Sequence, residues 1–212
     1  MAQRRHHYER AFEGYLREQR LPYMAVNEVK RALLPAGAKL VMDGEGKGVG
    51  AIKNFDFVVY GDEGGEGEGG ENLLVEVKGR RLPRLRLADG RPAKARLESW
   101  VTMDDVAALK VWEGLFGTGY EAVFVFVYWC DDVPPDGLFA EVFEYQGRWY
   151  TVRAVTLADY EAGMRVRSPK WRTVNLSSED FERVWRGFCG TGVGDVASGG
   201  LIDGGGACSV RA

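Results

Sequence analysis

The stretch that most narrows what this chain can become is "YEAVFVFVYWC", residues 120–130. After Glu121 it is a continuous apolar, β-prone run with no polar alternation. A strand with one wet face alternates; a strand without alternation is covered on both faces. The chain therefore needs a sheet with a layer above it and another below. With 212 residues, 45% of them hydrophobic, it has the material for one sizeable core.

The covering layers are legible as helices. "HHYERAFEGYLREQRLPY" places Tyr8, Phe12, Tyr15 and Leu16 at three- and four-residue steps on one face, and Pro22 ends it. "VNEVKRALL" (26–34) predicts a second helix, stopped by Pro35. "TMDDVAALKVWEGLFG" (102–117) predicts a third, with Thr102 and Asp105 spaced for a capping arrangement and Gly117 closing it. "AKLVMDG" reads as a short strand. "GEGKGVG" (44–50) has the wrong spacing for a phosphate loop and reads as a flexible turn. Further on, "LFAEVFEYQGRWYTVRAV" is a hairpin turning at Gln146-Gly147. "LADYEAGM" reads as a short helix, "WRTVNL" as a short strand and "SSEDFERVWRGF" as a capped helix. The order predicts an α/β fold: a mixed central sheet flanked by helices, with a C-terminal hairpin and helix extension. One domain is expected over residues 1–186, its core about 5–130 and its extension about 131–186. Residues 187–212, with nine glycines in 26, are expected to form a disordered tail.

Composition excludes several function classes. A net charge of −3 leaves no general polycation, so nucleic-acid contact would need a local basic patch. Three cysteines without CxxC spacing fit a reducing cytoplasm and argue against a disulfide framework or a zinc cage. The only histidines, His6 and His7, are neighbours on a helix and point in different directions, which disfavours both a metal pair and a histidine-dependent triad. No signal peptide or membrane span is visible, so a soluble cytoplasmic protein without a membrane partner is expected.

The chemistry concentrates in "NFDFVVY" and "NLLVEVKG", two apolar strand-like pieces joined by a connector, "GDEGGEGEGGEN", with five acids and six glycines. Each piece carries ionisable groups: Asp56 in the first, Glu76 and Lys78 in the second. Burying a charge is costly unless it is paired or bound to a metal. By strand alternation Leu74, Glu76 and Lys78 share a face, as do Asn54, Asp56 and Val58, opposite Phe55, Phe57 and Val59. Paired strands would then set Asp56 beside Glu76, with Lys78 one pleat, roughly 7 Å, further on. Two carboxylates suit Mg²⁺, which takes one or two and keeps several waters. A lysine at the edge suits an attacking water or phosphorane charge. The plainer alternative is a half-exposed hairpin with a cross-strand ion pair worth about 0.2–1 kcal/mol. It is disfavoured because a wet strand should alternate throughout.

This D-(x)n-E-x-K pattern, with a glutamate on a preceding helix, resembles the PD-(D/E)xK nuclease superfamily, the restriction-endonuclease-like fold. The matching positions are Asp56, Glu76-Val77-Lys78 and Glu9, the last resembling the first-helix glutamate of archaeal Holliday-junction resolvases. "HYERAFE" also resembles an uncharacterised bacterial group named for its HYExAFE motif. The superfamily resemblance spans about residues 5–130. Asn54-Phe55 stands where proline often precedes the aspartate, and the loop before Glu76 is unusually long. The resemblance implies a restriction-endonuclease-like core and Mg²⁺- or Mn²⁺-dependent hydrolysis of DNA. Asp56, Glu76 and the Val77 carbonyl would hold the metal, Lys78 would orient the water, and Glu9 would serve a second metal. It also brings a homodimer into view, since many members pair to cut two strands. A non-catalytic nucleic-acid- or protein-binding module that kept the fold is the rival reading.

From Lys78 to Arg96 there are eight Lys/Arg against one acid, Asp89. Arg80, Arg81, Arg84, Arg86, Arg91, Lys94 and Arg96 are thus candidates for phosphate contact, or simply a solvated loop. Glu13 reads as surface, paired with Arg17 four residues on. "RVRSPKWR" (165–172) could clamp phosphate and stack on a base, but Trp171 is expected in the core, as are Trp100, Trp112 and Trp129.

Overall fold

The computed structural model describes residues 6–26, 41–44, 47–51, 53–61, 71–82, 97–131, 134, 139 and 141–189. The run at 120–130 is the strand β7 (Tyr120–Cys130), and Ala122 through Tyr128 are all buried. It lies inside a six-stranded sheet whose strands are β1 (Tyr23–Ala25), β4 (Phe57–Val59), β5 (Asn72–Arg81), β7, β9 (Arg148–Thr156) and β8 (Val142–Tyr145), in that spatial order. β5 and β7 run parallel; every other neighbour pair is antiparallel. The mixed central sheet flanked by helices is therefore present.

The two faces of this sheet have different covers. Val75, Val77, Val123, Val125 and Val127 pack with Ala11, Phe12, Tyr15 and Leu16 of helix α1 (His6–Glu18). Leu74, Phe124, Phe126 and Tyr128 pack with Val106 and Leu109 of α2 (Met103–Phe116) and with Tyr160 and Phe181. Tyr160 lies on α3 (Leu157–Gly163) and Phe181 on α4 (Ser178–Val184). The capping box at Thr102 and Asp105 forms in both directions, which fixes where α2 starts. A separate sheet of β10 (Arg165–Ser168), β11 (Thr173–Asn175) and β6 (Val101–Thr102) sits directly before α2.

The hairpin of residues 142–156 turns at Gln146 and Gly147, whose φ values of 51° and 72° are what a two-residue connection of this kind requires. It is part of the central sheet, because β9 extends β7 over eight paired residues. The expected tail contributes to the core: Phe188 and Cys189 are buried against α1, and both their N–H groups donate to the buried Glu141 carboxylate. Residues 47–51 form β3, antiparallel to β2 (Val41–Gly44), where a flexible turn was expected. Alternating glycines allow a strand even though they do not favour one. The helix expected at 26–34, the acidic connector at 62–70 and the chain after Cys189 lie outside the described residues, apart from Val26.

Trp171 departs from expectation. It is 71% exposed, whereas Trp100, Trp112 and Trp129 are partly buried. No helix among the described residues is long and apolar enough to cross a membrane.

Candidate active site

β4 is three residues long and β5 is ten, so the ladder between them stops at the pair Phe57–Val75. Asp56 sits in the bend just before β4. Its N–H donates to the Val75 carbonyl at 2.9 Å, and its Oδ2 accepts from the Val77 N–H at 2.8 Å. The carboxylate therefore caps the open edge of β5 where the ladder ends. In an extended strand the N–H and C=O of one residue point to the same edge, so the Val77 carbonyl faces the same side.

That bend corrects the strand count made from the sequence. Val58 shares a face with Leu74, as alternation predicts, but Phe55 belongs to the α2 side and not with Phe57. Alternation holds only through extended backbone. At Asp56 the phase resets, and Phe55 packs edge-on against Trp112 with ring centres 5.5 Å apart. The Trp112 indole N–H also donates to the Lys53 carbonyl at 2.9 Å, pinning residues 53–55 to α2.

On the α2 face Glu76 and Lys78 meet two partners that sequence reading missed. Glu76 Oε1 accepts from Lys78 Nζ at 2.7 Å and from Lys53 Nζ at 2.6 Å. Asp105 takes the same two ammonium groups, Lys78 at 2.8 Å and Lys53 through a shorter contact. Only Lys53 is substantially exposed; the side chains of Glu76, Lys78 and Asp105 are at most 11% accessible. Burial alone would raise the Asp105 carboxyl, but the charge of Lys78 and the hydrogen bond and charge of Lys53 hold it well below the ordinary range. Desolvation opposes the Lys53 charge, yet Glu76 and Asp105 carry its pKa above the usual lysine value. Asp105 was read from the sequence as a cap. That role accounts for it fully, so nothing remained to signal a second. Lys53 did leave a trace, as the only cation in "AIKNFDFVVY".

On the α1 face Glu9 approaches Asp56. α1 can come this close because residue 79 is glycine: a Cβ there would lie 2.0 Å from Tyr8 Cδ2. Asp56 feels the result. Burial raises its carboxyl well above the ordinary range, the charges of Glu76 and Glu9 raise it further, and the Val77 N–H and Lys78 oppose them. The ammonium groups of Lys53 and Lys78 are thus held by Glu76 and Asp105, while Asp56 lies within the field of Glu76 and Glu9.

Among the described residues no group of three His, Cys, Asp or Glu side chains is placed to hold a metal ion together. The donor chemistry nonetheless fits a hard cation. Asp56, Glu76 and the Val77 carbonyl offer oxygen donors, two carboxylates suffice for Mg²⁺, and a carboxyl raised by burial and by like charges is where a cation would relieve the strain.

The basic run divides. Arg80 turns inward: its guanidinium lies 3.9 Å from the Trp100 ring centre and donates to the Gly79 and Trp100 carbonyls. Arg81 is 62% exposed and pairs with Asp131 at 2.9 Å. Arg84, Arg86, Arg91, Lys94 and Arg96 lie outside the described residues. Glu13 is paired with Arg17 at 2.6 Å, as expected, and is partly covered, accepting also from the Tyr23 hydroxyl at 2.8 Å.

No protein-family model matches the chain, and no curated protein matches it. The likeness of "HYERAFE" to the HYExAFE group therefore remains a likeness of one short motif. Among solved structures the chain is similar to Archaeoglobus fulgidus Hjc, a Holliday junction resolvase from an archaeal hyperthermophile. Identity is 17% over 84% of this chain and 92% of that one, with a TM-score of 0.41. A likeness of that degree carries no argument about activity.

Proposed function

We propose that this chain is a metal-dependent nuclease that hydrolyses DNA phosphodiester bonds. The observation that carries the reading is the meeting at the end of the β4–β5 ladder. Asp56 caps the β5 edge through the Val77 N–H, and Glu76 and Glu9 both bear on its charge, one from each face of the sheet. A structural ion pair gives no reason to set Asp56 in the field of two other carboxylates; a cation site does.

Asp56, Glu76 and the Val77 carbonyl are assigned to Mg²⁺ or Mn²⁺, with Glu9 beside them. When bound, such an ion offsets phosphate charge and acidifies a water. The protein's own groups do the rest. Lys78, fixed by Glu76 and Asp105, holds its ammonium toward the attacking water and the phosphoryl oxygens. Lys53, half exposed at the rim, is placed to meet the incoming phosphate. Asp105 holds both ammonium groups in place.

A specific observation favours the second reading, a binding module without catalysis. Glu76, Asp105, Lys53 and Lys78 neutralise one another and form a satisfied buried cluster. Plasmid nicking with Mg²⁺ or Mn²⁺, and its block by EDTA, separates the two. Under the nuclease reading, Lys78→Ala lowers cleavage by about 10²-fold or more while metal still binds. Glu76→Ala loses both. A wild type that cuts no DNA with either metal removes the nuclease and leaves the binding module.

A further inference from the structure

Trp171 and Val166, at 71% and 70% exposure, are the two most exposed large hydrophobic residues described. Both belong to the β10–β11 hairpin, whose "RVRSPKWR" carries four Lys/Arg and no acid. Lys170 Nζ lies 5.5 Å from the Trp171 ring centre. Arg165, Arg167 and Arg172 make ion pairs of 3.2–3.6 Å from side chains that are 44–71% exposed, the sort of surface pair that phosphate can replace.

The hairpin is tied to the candidate active site along two routes. Its tip is fixed to the start of α2, because the Met103 N–H donates to the Arg172 carbonyl at 2.8 Å. Two residues later Asp105 grips Lys78. On the other side Arg80, one pleat beyond Lys78, lies on the Trp100 ring, and Arg167 of the hairpin approaches the same ring at 5.1 Å. A cleft of about 490 Å³, lined in part by Arg81, Ser99, Trp100 and Arg167, opens between these elements.

We infer that this hairpin is the substrate-selecting element and that Trp171 stacks on an unpaired base, so that the preferred substrate is DNA with a single-stranded segment. The inference deepens the nuclease reading and rests on it only for what happens to the strand afterwards. Inside a duplex the faces of a base are already stacked and out of reach of a side chain. An exposed indole flanked by cations gains most from a strand whose bases are free. The hairpin's four cations, three of them in exposed pairs that phosphate can replace, favour this occupant over an apolar protein surface.

The test is anisotropy of a labelled single-stranded oligonucleotide and of a blunt duplex of the same sequence, both in EDTA so that binding is read without cleavage. Wild type should prefer the single strand. Trp171→Ala should weaken single-strand binding by at least about fivefold, the low end for losing one base stack, and leave the duplex unchanged. Trp171→Phe should keep most of the affinity, and both variants should melt with wild type because the residue is exposed. Equal single-strand affinity of Trp171→Ala and wild type overturns the inference, as does a wild type that binds the duplex as tightly. If Trp171→Ala loses binding but wild type never nicks a plasmid, the stacking role stands and the nuclease falls. Nicking combined with unchanged Trp171→Ala binding gives the reverse.

Discussion

Asp56, partly buried, and Asp105, fully buried, stand on either flank of Glu76, and they are held in opposite states. Asp105 faces two ammonium groups and closes a capping box, so its charge is favoured. At Asp56 desolvation, with the charges of Glu76 and Glu9, outweighs one backbone N–H and the help of Lys78, so its charge is disfavoured. The same residue type is thus structural on one side and under electrostatic tension on the other. The paired half gives the site rigidity, and the disfavoured charge of Asp56 is what a bound cation would relieve.

The largest stability effect should come from breaking the neutral half. Asp105→Asn leaves Lys78 without its second partner; with Lys53 able to reach water, the expected loss is about 2–3 kcal/mol. For a chain of this size each kcal/mol is worth about 2–4 °C in Tm, which a thermal melt resolves easily. A melt unchanged from wild type would show that the quartet contributes nothing. Next in size is Gly79→Ala, which drives a methyl into Tyr8 and should cost about 1–3 kcal/mol. Tyr8→Ala in the same chain should recover part of that loss. No recovery would mean that α1 does not rest on β5 at this point.

Asp56→Asn should act with the opposite sign. The folded carboxyl holds its proton above the pH at which the unfolded chain loses it, so stability falls as pH rises from about 4 toward the raised value. Asparagine cannot ionise, and the variant should therefore match wild type in acid and melt higher, by about 2–4 °C, near neutrality without metal. Asp105 slopes the other way: its contribution is present above the ordinary carboxylate pKa and lost as pH falls below it. Melts from acid to neutral pH, with and without Mg²⁺, read both slopes; Mg²⁺ should lift wild type and leave Asp56→Asn unmoved. The smallest effect is expected from Glu13→Ala, about 0.5–1 kcal/mol for the lost i,i+4 pair with Arg17 and the hydrogen bond from Tyr23. Glu9→Ala, one helical turn away, should instead lower the Asp56 pKa. Equal behaviour of the two glutamates would show that the Glu9 charge does not reach Asp56.

Much of this was in the sequence because local rules govern it. Continuous β-prone residues at 120–130, the apolar stripe of α1, the Thr102–Asp105 cap and the Gln146-Gly147 turn each depend on neighbours within a few residues, and each is found where it was expected. The Asp56, Glu76 and Lys78 pattern was visible for the same reason: charge in an apolar strand is an anomaly that a short window reveals. Tertiary structure decided what lay across longer separations. Lys53 and Asp105 are 52 residues apart and meet only because Trp112 and Phe55 clamp the segment before β4 onto α2. The bend at Asp56, the α1 approach permitted by Gly79 and the exposure of Trp171 likewise follow from how elements stack. Propensity sets each element alone, but desolvation and charge pairing depend on which elements are brought together.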